Sequence, residues 1–582
     1  MTVWDGGGAD TYDFSNYTTD LSVDLAPGAW TVLDTSASHI QRADLGNDRA
    51  GGAEVFARGN IANALIDPNA PTENASYIEN ATGGIGDDVI SGNKYGNILQ
   101  GLDGADTLNG LAGADTLNGG DGADQLNGGG DGDTLNGGIG SDNLKGGGGA
   151  DTLRGGAGDD FYELSDVWAQ TFDGVFLRDV FDSALEAPGE GVDTVGVSPL
   201  GRTLRDGSVV YFYSISDSTD IENGVIGDGH DFDLSGNSLD NVLTGNSFVN
   251  TLKGLIGDDT LNGNNGADTL IGGAGDDLYQ LNDINGEWVS GEFFGDFFDS
   301  VQEDADAGVD TVSLSPLARQ NQDFFGDPTY SYTLGANVEN ASVKDGHDFF
   351  LTGNSLDNVL TGNSSGNLLQ GLAGEDTLNG GAGYDTLAGG AGDDLYQITD
   401  VVEQFFHDIR ITDVFDVVEE DADGGLDTVS LLPLARRGFD GSIFYSYTLS
   451  AFNVENASVA DGHAFDITGN GLANVLTGNA SENALAGLAG NDTLAGGGGA
   501  DTLAGGAGDD CFVYGPACGT DAIVDFVAGA GTDDKIDLTG FNYLRQFGAA
   551  LAHASQAGAN TLFDFGNGDM LTLDGIVETS LS

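Results

Sequence analysis

Along much of this chain one large apolar residue stands every nine positions, with small or polar residues on either side. From Gly83 to Glu163 these positions are Ile90, Leu99, Leu108, Leu117, Leu126, Leu135, Leu144, Leu153 and Tyr162. Each apolar residue with its two neighbours predicts a three-residue strand whose central side chain points into a narrow core. Between the periodic blocks, Thr, Val, Tyr and Leu alternate, as in YSYTL at 330–334 and 445–449, which predicts longer strands. Residues 547–559 (FGAALAHASQAGA) predict the one clear helix. The pattern is that of an all-β chain.

The full unit is G-G-x-G-x-D-x-U-x, with U the apolar residue. Examples are GGIGDDVIS at 83–91, GLDGADTLN at 101–109 and GGGGADTLR at 146–154. Nine units fill 83–163, and five each fill 236–280, 353–397 and 469–513, giving 24 units. This nonapeptide is a recognised signature of calcium-binding parallel β-coils, so the step is identification as much as derivation. It predicts a right-handed parallel β-roll in four blocks. Position six is Asp in 17 units: Asp88, Asp106, Asp115, Asp124, Asp133, Asp142, Asp151, Asp160, Asp259, Asp268, Asp277, Asp376, Asp385, Asp394, Asp492, Asp501 and Asp510. It is Asn at Asn97, Asn241, Asn250, Asn358, Asn367, Asn474 and Asn483.

Glycines allow a tight turn free of side chains, so carbonyl oxygens can face inward, and the Asp adds charge. Calcium takes six to eight oxygens in loose geometry, which suits such a mixed cage. Two units complete a coil, so units n and n+2 stack and share an ion. That counting gives on the order of sixteen ions, with weaker binding where the Asn units open a block.

The blocks themselves recur. Starts at 119, 236, 353 and 469 are 117, 117 and 116 residues apart. Segments 164–235, 281–352 and 398–468 connect them, and 514–582 closes the chain. The connecting segments share a Phe-Asp pair (Phe181-Asp182, Phe298-Asp299, Phe415-Asp416), then Asp193, Asp310 or Asp427, then Glu222, Glu339 or Glu455, then His230, His347 or His463. We expect them to extend the coil as longer, irregular rungs. The histidines lie more than 100 residues apart and read as repeated turn residues. The Asp and Glu pairs are hard oxygen ligands and the better metal candidates, although a solvated acidic face is their default reading. G-x-S-x-G at 362–366 lies in register with a nonapeptide and reads as coincidence.

Composition sharpens the picture. Of 582 residues 97 are Gly, and 94 acidic side chains face 17 basic ones, a formal net charge of -77. Such a chain repels nucleic acid and anionic membrane surfaces and attracts cations. Sixteen divalent ions would offset roughly 30 of those charges. No apolar run is long enough to span a bilayer, and residues 1–15 carry no secretory signal peptide. Cys511 and Cys518 are too few for a disulfide framework. A local disulfide and two free thiols fit equally well.

Residues 2–15 (TVWDGGGADTYDFS), 23–30 (VDLAPGAW) and 77–88 (YIENATGGIGDD) resemble the start of the C-terminal domain of serralysin-type secreted metallopeptidases. That resemblance implies a lead-in segment over 1–82 in which Asp5, Gly7, Asp10 and Glu79 ligate calcium. The wider chain resembles RTX proteins. TDAIVDF at 520–526, DKIDL at 534–538 and FGNGDMLTLDG at 565–575 resemble the end of RTX proteins that leave bacteria by type I secretion. The family's short acidic-aromatic tail is missing, which puts export of this chain as given in doubt. The resemblance implies a secreted, extracellular protein with calcium and the type I apparatus as partners.

The family's zinc motif, H-E-x-x-H, is missing. None of the six histidines is followed by Glu, so no zinc is expected in this chain. No enzyme assignment follows from these residues, which read as the non-catalytic C-terminal part of a serralysin-like metallopeptidase. The alternative is a free-standing extracellular structural or adhesive calcium-binding protein. The expected discriminator is what precedes Met1. Oligomeric state is not legible.

Overall fold

The computed structural model describes residues 2–3, 10–26, 29–33, 42–47, 54–58, 61–63, 78–165, 170–172, 175–177, 182–198, 211–216, 220–227, 229–282, 284–289, 292–297, 299–305, 307–315, 329–344, 346–399, 401–406, 409–414, 416–420, 424–432, 445–449, 453–460, 462–527, 534–544 and 547–581. The chain forms two compact units, Met1–Asp283 with Phe298–Gly308, and Ile284–Phe297 with Val309–Ser582.

In the first unit successive strands alternate between two parallel sheets. Ile98–Asp103, Thr116–Asp121, Thr134–Ile139 and Thr152–Ala157 stack in one. Val89–Ser91, Thr107–Ala112, Gln125–Gly130, Asn143–Gly148 and Phe161–Leu164 stack in the other. Every partner lies 18 residues away, so Leu99, Leu117, Leu135 and Leu153 form one buried row. Ile90, Leu108, Leu126, Leu144 and Tyr162 form another. Burying each of these side chains stabilises the coil by about 1.5–3 kcal/mol, and a one-residue slip would turn the whole row outward. This is the parallel β-roll that the nine-residue period predicts.

The roll begins before the first nonapeptide. Thr11–Asp13 pairs with Asn80–Thr82, and Ser22–Asp24 with Val89–Ser91, so the lead-in segment supplies the first rung. It also continues past the last one. Ser183–Leu185 stacks on Thr152–Ala157, and Thr194–Val197 on Phe161–Leu164, followed by Asn223–Ile226, Val242–Thr244 and Thr260–Asn262. The connecting segment thus adds rungs, as expected. It also carries an antiparallel hairpin, Gln170–Phe172 with Val175–Leu177, which the sequence did not announce.

The second unit repeats the scheme. Asn340–Val343, Val359–Thr361, Thr377–Asn379, Leu395–Ile398, Thr428–Leu431 and Asn456–Val459 succeed one another in one parallel sheet. Hairpins Ile284–Val289 with Glu292–Phe297 and Val401–Phe406 with Ile409–Val414 accompany it. At the C-terminal end Ala554–Ala557, Asn560–Gly566 and Asp569–Leu573 form an antiparallel meander, and Asp569–Leu573 adds in parallel to Thr520–Ile523.

The expected helix over 547–559 is only Phe547–Leu551. Gly558, at φ 68°, turns the chain so that Ala554 pairs with Phe563. That pairing places Phe563 beside Phe565, and Phe565 against Tyr514 and Phe541, a contact a longer helix would forgo. No helix among the described residues is long and apolar enough to cross a membrane. Cys511 and Cys518 are free thiols in this structure.

Candidate metal centre

The turns between the two sheets converge oxygen atoms. At Gly119, position one of its unit, a Cβ would fall against Asp124 Oδ2 and 2.7 Å from the carbonyl oxygen of Gly137. Gly101 and Gly137 repeat this with Asp106 and Gly119, and with Asp142 and Gly155. Glycine is therefore required at position one for space, not for φ. At Gly120 (φ 127°) and Gly122 (φ 151°) the backbone itself needs glycine.

The Asp side chains form ladders. Each Oδ1 accepts the backbone N–H of the residue one coil earlier. The first ladder runs from Asp88 N–H to Asp106 (2.7 Å), then to Asp124 (2.7 Å), Asp142 (2.8 Å), Asp160 (2.7 Å) and Asp193 (2.8 Å). It ends where Asp193 N–H donates to Glu222 at 2.7 Å. A second runs from Asn97 through Asp115, Asp133 and Asp151 to Asp182. The first unit also holds Asn241–Asp259–Asp277 and Asn250–Asp268–Asp299. In the second unit Asn358 leads to Asp376, Asp394, Asp427 and Glu455, and Asn367 to Asp385 and Asp416. Asn474 leads to Asp492, Asp510 and Asp534, and Asn483 to Asp501 and Asp521. All seventeen position-six aspartates lie in these ladders.

The second carboxylate oxygen is the informative atom. Oδ2 of Asp106, Asp115, Asp124, Asp133, Asp142, Asp160, Asp259, Asp376, Asp394, Asp492, Asp501 and Asp510 is buried without a hydrogen-bond donor. A buried carboxylate oxygen without a donor is costly. Burial, reinforced by neighbouring carboxylates and opposed by the backbone N–H, pushes Asp106, Asp115, Asp142 and Asp259 up to about 7. It takes Asp133 and Asp376 to about 6. Only a cation or a proton relieves this. The donor set, carboxylate and carbonyl oxygen without imidazole or thiolate, fits a hard cation such as calcium and not zinc.

The heads of the ladders differ. Asn97, Asn241, Asn358 and Asn474 donate from Nδ2 to the carbonyls of Glu79, Glu222, Glu339 and Glu455. An amide there brings protons to carbonyl oxygens that an ion would otherwise use. Asp88, which heads the first ladder, has both oxygens satisfied, by Leu21 N–H and Gly84 N–H, each at 2.7 Å. In this it differs from the twelve aspartates above, whose Oδ2 has no donor.

Asp5 and Gly7 lie outside the described residues. Asp10 and Glu79 do meet: Glu79 accepts the Asp10 N–H at 3.0 Å. Asp193, Asp310 and Asp427 are buried and not part of a solvated face, and the connecting rungs place Asp193 and Asp427 in the ladders. His230, His347 and His463 each offer a backbone carbonyl to an Asn amide, as turn residues do. Sequence reasoning missed the ladder ends Asp182, Asp299, Asp416, Asp521 and Asp534, although three of them belong to the repeated Phe-Asp pair. It also missed Glu186 and Glu420, which stand near Asp160 and Asp193, and near Asp394 and Asp427.

Comparison with known proteins adds two matches. The RTX calcium-binding nonapeptide repeat matches residues 82–117, 91–126, 100–135, 127–162, 236–279, 352–387, 361–396 and 477–511. The Peptidase M10 serralysin C terminal family matches residues 1–35. No curated protein matches the chain. Among solved structures, the extracellular lipase LipA from Serratia marcescens is similar at 19% identity over 47% of this chain and 44% of that one, with a TM-score of 0.15. The chain thus spans less than half of that lipase, and a likeness at that score carries no argument.

Proposed function

The chain carries RTX calcium-binding nonapeptide repeats, and from that premise we propose that it is a secreted β-roll that folds when it meets extracellular calcium. The observation that carries this reading is the file of buried Oδ2 atoms without a donor, those of Asp106, Asp115, Asp124, Asp133 and Asp142 each beside an inward glycine carbonyl. Asp106, Asp115, Asp124, Asp133, Asp142 and their counterparts in the later blocks supply the charge of the cages. Asp5, Gly7, Asp10 and Glu79 would add a site in the lead-in segment. Where calcium is scarce, a formal charge of -77 opposes compaction and keeps the chain open for passage through an export channel. Outside the cell, binding free energy becomes folding free energy. The match over residues 1–35 supports a serralysin-like metallopeptidase as the parent, exported by the type I route, with this chain as its non-catalytic part. A free-standing structural protein is the second reading, favoured by the 117-residue recurrence of whole modules.

The test is a calcium titration of the chelator-stripped full chain, followed by far-UV circular dichroism and hydrodynamic radius. The reading expects an expanded chain without calcium and a compact β-signal near millimolar calcium, with magnesium ineffective. A compact β-rich chain in chelator would overturn it.

A further inference from the structure

The last nonapeptide of the first block departs from its predecessors at the apolar position. Tyr162 stands where they carry Ile or Leu. It is fully buried; its hydroxyl accepts the Gly155 N–H at 2.7 Å and donates to Glu186. Gly156 N–H also reaches Glu186, at 3.3 Å. Glu186 is thereby held beside Asp160 and Asp193, and one ligand oxygen from each of the three lies within 4.8 Å of the others. Asp160 and Asp193 are 2% and 0% exposed, and Oδ2 of each lacks a donor.

The second unit rebuilds this arrangement. Tyr396 accepts the Gly389 N–H at 2.8 Å and donates to Glu420. Glu420 lies with Asp394 and Asp427, 1% and 0% exposed, whose Oδ2 atoms again lack donors. The last block provides an internal control. Its final apolar residue is Phe512, without a hydroxyl, and 24 residues on, where Tyr162 and Tyr396 have their Glu, stands Ile536. The Tyr and the Glu are present together or absent together.

We propose that Asp160–Glu186–Asp193 and Asp394–Glu420–Asp427 are block-exit cation sites, each holding one hard divalent cation more tightly than the glycine-turn cages do. Calcium as the ion rests on the function proposed above. Oxygens within 4.8 Å of one another suit an ion about 2.3–2.6 Å from each, and affinity in this class rises with carboxylate count. The buried tyrosine positions the Glu without contacting the ion. These sites fill first and tie the first long rung to the end of the nonapeptide block.

The test counts calcium retained per full-length chain across a series of buffered free-calcium concentrations, in wild type and in Glu186→Gln/Glu420→Gln. The expected result is that wild type keeps two more ions than the variant at free calcium low enough to empty the cages. Equal counts at every concentration would overturn the proposal. Wild type binding no calcium at all would instead overturn the function on which it rests. A Tyr162→Phe/Tyr396→Phe chain keeps every carboxylate and serves if the Gln variant does not fold. It should hold the same two ions about tenfold more weakly, as loss of a ligand-orienting partner does, and unchanged affinity would overturn the proposal equally.

Discussion

Substituting Gly119 by Ala tests the cage with one methyl group. The new Cβ would sit 2.7 Å from the Gly137 carbonyl oxygen and closer still to Asp124 Oδ2, well inside the roughly 3.5 Å at which non-bonded carbon atoms pack. Both oxygens belong to one cage, so one ion is lost. At calcium a hundredfold above its dissociation constant a site contributes about 2.7 kcal/mol. Overpacking adds about 1–3 kcal/mol. The expected total is therefore about 4–6 kcal/mol at saturating calcium, shrinking toward the overpacking cost as calcium falls. Gly130→Ala is the matched control, since the nearest atom to its Cβ is Leu111 O at 3.9 Å. It should be neutral or slightly stabilising. The assay is urea unfolding followed by circular dichroism at several calcium concentrations, with bound calcium counted in parallel. If Gly119→Ala keeps every ion and unfolds with wild type, or if Gly130→Ala loses as much, the cage reasoning is wrong.

Acidity should act in opposite directions with and without calcium. Burial raises the folded-state values of Asp106, Asp115 and Asp142 to about 7, so without calcium their contribution is fully present below about pH 4 and lost as pH rises through 7. In chelator the chain should be more compact at pH 5 than at pH 8 by light scattering. With calcium, the titration midpoint should move to higher calcium as pH falls from 8 to 5.5, because protons compete for the same oxygens. Asp142→Asn keeps the oxygen that accepts Asp124 N–H but removes the charge. One bound ion fewer, with an unchanged spectrum at saturating calcium, is the expected count. Leu111 holds φ 82° while 52% exposed, so Leu111→Gly should raise unfolding stability by about 1 kcal/mol; a clear loss would mean the side chain packs usefully.

The roll was legible because one period governs both backbone and chemistry. Nine residues place the recurring apolar residue of each unit inward, and two units bring Leu99 over Leu117 and Asp106 over Asp124. The Asn units that open the three later blocks were legible too, and Asn241 does bring an amide proton to a carbonyl oxygen there. Asp193 was misjudged for a physical reason. It follows its ladder neighbour Asp160 by 33 residues rather than 18, and a period-based reading has no register across an irregular rung. Glu186 was invisible for the same reason, although Tyr162 marked the place. The shortened helix at Phe547–Leu551 shows tertiary packing of Phe563 and Phe565 overriding a local pattern.

The central claim concerns where the ions sit. Anomalous diffraction from crystals grown in calcium measures that directly. The account predicts a peak beside Oδ2 of Asp106, Asp124 and Asp142 and the facing glycine carbonyls, and none beside Asp88 or the amides of Asn97, Asn241, Asn358 and Asn474. Ordered cages without peaks, or peaks as strong at the Asn turns as at the Asp turns, would contradict it.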